Sequence, residues 1–311
     1  MKFLVTGAAG FIGSYLVPAL LERHDEVVAL DLAPEPASLS GLGPGLTYVR
    51  ADLGSPEDPY RAMLAHRPHS IFHLGSLLAG PCDENPVLGF KVNFNSTLNL
   101  LDAAAQIGVK RFVMTSSIAV FGKDVPEPVA DDAAKNPANI YGQTKLACEH
   151  LLRWYVEKKG LDCRALRFTW VFGPGRTTGI TALYSSLLLD QVALGQAVDV
   201  PNPEETGDWL YVRDAVKALL LAHDATTAPR LIYNIAGGAH AIREALTLAK
   251  GFMPRADITF QPGGKVFSPY PAAYDDTPAR QDLGWSPDYD LARAVREHLE
   301  TVSARARTAN K

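Results

Sequence analysis

Tyr141 and Lys145 stand four residues apart in Ile140-Tyr141-Gly142-Gln143-Thr144-Lys145, and Ala147, Leu151 and Trp154 keep helical spacing beyond them. Both side chains therefore leave one face of a single helix. A phenol ordinarily titrates at about 10, and an ammonium beside it favours the phenolate. Such a tyrosine can remove a proton from a substrate alcohol at working pH. A second hydroxyl is needed to fix the reacting oxygen, and Ser117 offers one at the close of Thr115-Ser116-Ser117. A Tyr and a Lys at this spacing are also a frequent accident of helices. The chemistry stands or falls with the elements that must bring Ser117 to Tyr141.

Those elements begin at the N-terminus. In Phe3-Leu4-Val5-Thr6-Gly7-Ala8-Ala9-Gly10-Phe11-Ile12-Gly13 an apolar run stops at a glycine, two more glycines follow at three-residue steps, and Leu16, Val17 and Leu20 continue at helical spacing. The pattern predicts a buried strand, a tight turn and a helix start. Glycine lets the backbone approach a pyrophosphate, and the helix N-terminus offers free N–H groups and a partial positive charge. A second apolar run, Glu26 to Leu30, ends at Asp31. An acidic residue about 20 positions beyond the glycines is placed to accept both hydroxyls of an adenosine ribose. The cofactor so implied is NAD. Asp31 would repel the 2′-phosphate of NADP, and no Arg or Lys lies between Leu32 and Ser40.

Leu46 to Leu53 reads as a third strand. Its Asp52 can meet an adenine amino group or cap a helix over residues 55–64, and the two roles are compatible. A fourth strand, Ser70 to Ser76, ends in small residues that let backbone lie beside a ligand. Phe94, Leu98, Leu101 and Ala105 mark a helix with one buried face, opened by Asn93 and closed near Gly108, and Arg111 to Ser117 is the fifth strand. Strands alternating with helices at this rhythm predict an α/β fold with a doubly wound parallel sheet, which binds ligands at its carboxyl ends. His66, His69 and His73 straddle a helix end and a strand, so no metal is expected there.

With 311 residues, 47% of them apolar, the chain can bury a full core. A net charge of −4 and a pI of about 6.1 provide no basic field, and no cluster of Lys and Arg interleaves with aromatics, so nucleic acid is excluded as a partner. No apolar run reaches membrane length and the N-terminus carries no basic leader, so a cytoplasmic protein without membrane contact is expected. Cys82, Cys148 and Cys163 are widely spaced and read as reduced structural thiols.

Taken together, Gly7, Gly10, Gly13, Asp31, Asp52-Leu53, His73-Leu74-Gly75-Ser76, Asn93, Thr115 to Gly122 and the Tyr141/Lys145 pair resemble the extended short-chain dehydrogenase/reductase family. The likeness continues through Leu166-Arg167-Phe168, Val171 to Gly175, Asp208 to Ala215, Asn234 to Gly238 and Leu283 to Pro287. It implies a Rossmann domain over residues 1–172, joined again by 208–237. A smaller, discontinuous C-terminal substrate lobe takes 173–207 and 238–302, and a polar, frayed tail follows over 303–311. It also implies an NAD site from Gly7, Ala9, Gly10, Phe11, Ile12, Gly13, Asp31, Leu32, Asp52, Leu53, Leu74, Gly75, Ser76, Asn93 and Thr115, shared with Tyr141 and Lys145. Ser117, Tyr141 and Lys145 form the catalytic set, and Lys145 also holds the nicotinamide ribose. Substrate contacts fall to Ser76, Ser117, Ile118, Trp170, Arg176 and Thr177. The family pairs subunits through the helices of Leu98 and Tyr141, which makes a homodimer the expected state. Ala147, Leu151 and Trp154 equally fit packing against the chain's own sheet.

Within the resemblance, dehydratases follow the catalytic hydroxyl with Asp-Glu, where this chain has Ile118-Ala119. Nucleotide-sugar epimerases hold a pyrophosphate with an Asn where Trp170 stands, an Arg where Gly207 stands, and an Arg in the region of Gln261 to Lys265. A desolvated diphosphate needs charge-assisted donors. The expectation is therefore an NAD-dependent oxidation of a secondary alcohol on a small hydroxy acid or sugar-derived substrate, with an NAD-retaining sugar 4-epimerase as the alternative. The stretch from Ser116 to Gly122 is similar to L-threonine dehydrogenases, and His73 to Asn93 with Val200 to Trp209 is similar to D-erythronate dehydrogenases. Arg176, in Gly175-Arg176-Thr177-Thr178-Gly179-Ile180-Thr181, suits a substrate carboxylate, and equally suits a solvated loop. A redox-inactive NAD-binding regulator is disfavoured by the joint presence of Ser117, Tyr141 and Lys145.

Overall fold

A computed structural model describes residues 1–261, 263 and 268–309. The chain runs β1 (Lys2–Thr6), α1 (Gly13–Glu22), β2 (Glu26–Asp31), β3 (Leu46–Arg50), α2 (Glu57–His66), β4 (Ser70–His73), α3 (Ala79–Glu84), α4 (Pro86–Gly89), α5 (Ser96–Ile107), β5 (Arg111–Ser117), α6 (Ile140–Lys159), β6 (Asp162–Phe168), β7 (Trp170–Phe172), α7 (Ile180–Leu183), α8 (Ser186–Ala193), β8 (Val198–Val200), β9 (Thr206–Tyr211), α9 (Val212–Asp224), β10 (Ile232–Ile235), β11 (Ala239–Ala241), α10 (Ile242–Phe252), β12 (Ile258–Phe260), α11 (Thr277–Leu283) and α12 (Leu291–Ala309).

Seven strands form one parallel sheet in the order β3-β2-β1-β4-β5-β6-β10. Burial on both faces explains the unbroken apolar runs that mark these strands. In β1, Phe3 and Val5 enter a core shared with Leu16, Val17 and Leu20 of α1, while Leu4 enters a second core with Leu100, Leu101 and Ala104 of α5. Two smaller sheets, β11-β9-β7 and β12-β8, stand beside it. The order reverses between β1 and β4, the crevice where a doubly wound sheet binds its ligand.

Several local expectations are corrected. Asn93 opens no helix: it lies inside a helical run that starts at Pro86 under an Asn85 cap and passes through a π-helical turn, Phe90–Asn95, into α5. The buried face of α5 is Ser96, Thr97, Leu100, Leu101 and Ala104, whereas Phe94, Leu98 and Ala105 are only half-buried. In α6 the buried face is Thr144, Lys145, Cys148, Glu149, Leu152 and Tyr155, and Trp154 is 47% exposed. Trp154 therefore does not pack on the chain's own sheet, whereas Leu151 is half-buried against the core that β1, β4 and β5 share with α5. Asp52 caps no helix, because α2 starts five residues later and Asp52 instead accepts the Gly54 N–H at 2.7 Å. The tail expected to fray over 303–311 continues α12 as far as Ala309, with Ser303 donating to the Ala193 carbonyl at 3.1 Å. All three cysteines are buried and free. No helix among the described residues is long and apolar enough to cross a membrane.

Candidate active site

A cavity of about 470 Å³ opens over the carboxyl ends of β1, β2, β4 and β5. Of the residues expected to bind, Gly7, Gly10, Phe11, Ile12, Gly13, Asp31, Leu32, Asp52, Leu53, Leu74, Gly75, Ser76, Thr115, Ser117, Ile118, Tyr141, Trp170 and Arg176 line it. Ala9, Asn93, Lys145 and Thr177 do not.

One end is built from backbone. Gly7 turns the chain with φ of +67°, and a Cβ there would sit 2.7 Å from Gly75 Cα. A Cβ on Gly13 would come within 2.7 Å of Ala8 Cα. Both positions bring main chain against main chain where any side chain would intrude. Asp31 closes this end, its carboxylate held by Ala9 N–H and Ala33 N–H at 3.0 Å each. Arg50, in register with Asp31 across β3, donates to the Leu32 carbonyl at 3.0 Å. A search for cations confined to residues 32–40 misses it, because it arrives from the neighbouring strand.

The other end holds the titratable groups. Ser117 closes β5; its hydroxyl oxygen accepts Ala119 N–H at 3.1 Å, and the hydroxyl bonds Tyr141. Asn139 caps α6 by accepting Gly142 N–H at 2.8 Å, which fixes the first turn where Tyr141 stands. Burial pushes the Tyr141 hydroxyl up to about 12, against the lowering effects of the Ser117 hydrogen bond and the Arg176 charge. Lys145 Nζ donates to the Thr115 carbonyl at 2.8 Å and lies over the Tyr141 ring, 5.6 Å from its centre. Desolvation brings the buried ammonium down to about 8.

Beneath the cavity, Asn93 is buried and committed to structure. Its side chain accepts Leu77 N–H at 2.7 Å and donates to the Leu77 carbonyl and to Thr144 Oγ1 at 3.0 Å each. It ties the loop after β4 to the helix of Lys145 without lining the cavity. His73 is bound between Thr6 Oγ1 at 2.7 Å and Thr97 Oγ1 at 2.9 Å, and burial brings it down to about 3. Neither His73 nor any group of three His, Cys, Asp or Glu among the described residues forms a metal site. Ser116 donates to Glu149 Oε1 at 2.6 Å, and Glu149 pairs through both oxygens with the buried Arg167.

Arg176 reaches into the cavity beside Tyr141, donating to the Val171 carbonyl and to Thr181 Oγ1 at 2.6 Å. Desolvation brings it down to about 10. Thr177 is exposed and does not line the cavity; the neighbouring Thr178 and then Thr181 line it instead. Leu77, Leu78, Gly179 and Tyr270 from loops and Ile180 at the start of α7 also line it and were missed, since neither a loop nor a single helical turn carries a periodicity to mark them.

The description "NAD dependent epimerase/dehydratase family" matches the chain over residues 3–236. The mitochondrial L-threonine 3-dehydrogenase of Sus scrofa is 28% identical over 99% of this chain and 84% of its own. The D-erythronate dehydrogenase of Cupriavidus necator is 28% identical over 96% of this chain and 98% of its own. The crystal structure of the Thermus thermophilus UDP-glucose 4-epimerase complex with NAD is 30% identical, covers 97% of this chain and 99% of that one, and superposes with a TM-score of 0.82.

Proposed function

The chain belongs to the NAD-dependent epimerase/dehydratase family, with NAD as its cofactor, and from that premise we propose that it oxidises a secondary alcohol on a small hydroxy acid or sugar-derived substrate. The observation that carries this reading is the convergence of Ser117, Tyr141 and Arg176 at one end of a cavity whose other end is a glycine-built cradle closed by Asp31. The cradle fits NAD: its backbone approaches leave no room for a Cβ, and the Asp31 carboxylate is already aligned by two backbone N–H groups. Gly7, Gly10 and Gly13 would hold the pyrophosphate, Asp31 the adenosine ribose, Asp52 the adenine and Lys145 the nicotinamide ribose. When bound, NAD supplies the acceptor for the hydride leaving the carbinol carbon.

Tyr141 is the base that takes the proton of the reacting hydroxyl. Ser117, its oxygen already accepting from Ala119 N–H, keeps its own hydrogen to donate to that oxygen or to Tyr141. Lys145 uses one of its donors on the Thr115 carbonyl and has two left for a ribose hydroxyl. Arg176 takes the substrate carboxylate, as a planar guanidinium does best. Because Tyr141 sits above its ordinary value, alcohol oxidation should quicken as pH rises. Tyr141→Phe keeps the ring and loses the base, so turnover should fall about 10³-fold with NAD affinity unchanged; full turnover in this variant removes Tyr141 from the role.

Epimerisation of a nucleotide sugar is the second reading, favoured by the likeness to UDP-glucose 4-epimerase. Against it, Gly207 lies flat on Trp170, where a Cβ would come within 2.5 Å of the indole, so packing occupies both positions at which the resemblance sought diphosphate donors. The third position falls within 261–265, of which residues 262, 264 and 265 lie outside the described set. We further propose a cytoplasmic homodimer. Phe90, Trp154 and Val156 stay exposed, and Leu98 and Leu151 half-buried, on the helical faces where such pairing is expected. The cofactor domain would take 1–172 and 208–237, since β10 rejoins the seven-stranded sheet, and the substrate lobe 173–207 and 238–302.

A further inference from the structure

Tyr270 reaches the cavity from the C-terminal part of the chain, far in sequence from the other groups at the reacting end. It is fixed there from both sides. Its backbone N–H donates to Ser268 Oγ at 3.3 Å, and Ser268 N–H in turn donates to Glu205 Oε1 at 3.2 Å. Just beyond, Ala272 and Ala273 donate to Glu127 Oε2 at 3.1 and 2.8 Å. At the hydroxyl, Asn139 Nδ2 donates to Tyr270 Oη at 2.8 Å. The orientation of that amide is settled independently, because Asn139 Oδ1 accepts the Gly142 N–H that caps α6. An amide NH₂ can only donate, so the Tyr270 oxygen is the acceptor in this pair and its own hydrogen is left to point elsewhere.

We propose that Tyr270 is a specificity-determining residue whose hydroxyl donates, with fixed polarity, to a second oxygen of the substrate beside the one on which Tyr141 acts. The inference rests on Tyr141 marking the reacting end. Tyr270, Tyr141 and Arg176 line the same cavity. Burial keeps the Tyr270 phenol protonated, with Asp83 adding to the effect. With the substrate carboxylate taken by Arg176, the oxygen left to accept from the phenol is a hydroxyl beside the reacting one, whereas an ammonium in that place has no lone pair to offer. The subsite therefore selects a polyhydroxy acid over an α-amino acid. A site built to bond a substrate hydroxyl rejects analogues that leave its donor unpaired.

The test measures NAD reduction and calorimetric binding with D-erythronate and L-threonine as probes, on the wild-type chain, Tyr270→Phe and Asn139→Asp. Asn139→Asp retains the cap but accepts instead of donating, turning the Tyr270 hydrogen away from the substrate. Both variants should melt like wild type, bind NAD equally, and raise KM for the hydroxy acid about 10-fold with kcat little changed, an effect of the size expected for one unpaired donor. Wild-type KM in Tyr270→Phe overturns the role, and wild-type KM in Asn139→Asp overturns the fixed polarity. A wild-type preference for L-threonine overturns the selection. If the wild type reduces no NAD with either probe, nor with any other aldonic or uronic acid or free sugar, the proposed oxidation fails. Binding of D-erythronate to the NAD-loaded chain then decides on Tyr270 alone: about 10-fold weaker binding in Tyr270→Phe upholds it, and equal or absent binding overturns it.

Discussion

The two ends of the cavity are made of different material. At the cofactor end the contacts are backbone on backbone: Gly7 against Gly75, Gly13 against Ala8, and two N–H groups on Asp31. At the reacting end they are side chains delivered by four separate segments, with Ser117 from β5, Tyr141 from α6, Arg176 from the loop before α7 and Tyr270 from the stretch before α11. Backbone contacts cannot be altered one atom at a time, so the first end is rigid to substitution. Side chains can be exchanged while the scaffold persists, so the second end is where one fold can serve different substrates.

Gly7→Ala should break the first end as a unit. The new methyl meets the Gly75 backbone and the turn needs a positive φ, so NAD affinity should fall about 100-fold and the melting temperature should drop too. Fluorescence titration with NADH and a thermal melt read both effects, and an unchanged affinity would mean the turn is more yielding than its geometry implies. Arg176→Ala should affect the other end alone. Losing a charge-assisted bond to a carboxylate should raise substrate KM about 10- to 100-fold while NAD affinity stays put. Steady-state kinetics check this, and a parallel loss of NAD binding would erase the distinction between the two ends.

The smallest effect concerns stability. His73 is held at about 3, below the value of about 6.5 it takes in an unfolded chain. Its contribution is therefore present above pH 6.5 and is lost as pH falls toward 3, since only the unfolded state can take the proton. Asp131 and Asp208, each held up at about 6, act in the opposite direction over pH 4 to 6. They cancel when wild type is compared with His73→Asn. The stability gap between the two proteins should shrink by about 1 kcal/mol from pH 6.5 to 5.5 in urea unfolding. A gap independent of pH would show that His73 takes up a proton inside the fold.

The same contrast explains what could be read from the residues. Gly7, Gly10, Gly13, Asp31, Ser117 and Tyr141 are legible because strand, turn and helix impose local spacing on them, and the parallel, doubly wound character of the sheet follows from that rhythm. Thr177 was chosen where Thr178 and Thr181 line the cavity, since a loop gives no period to distinguish neighbours. The face of α6 was only partly legible, for a physical reason. Its buried side carries Thr144, Lys145 and Glu149, each satisfied by hydrogen bonds, while Leu151 is only half-buried and Trp154 is turned outward. Apolar periodicity points to the core only where the core is apolar. Tyr270 carried no local signal, and its meaning comes from a hydrogen bond to Asn139, 131 residues earlier.

The central claim is a net oxidation at Tyr141, and it is tested most directly by the appearance of NADH in absorbance. The purified chain would be given excess NAD with L-threonine, aldonic and uronic acids, free sugars or UDP-sugars in turn. Repeated, stoichiometric NADH release with an unsubstituted acid or sugar, and none from Tyr141→Phe, is the predicted result. Conversion of a UDP-sugar to its epimer with no NADH accumulating would contradict it and establish the epimerase.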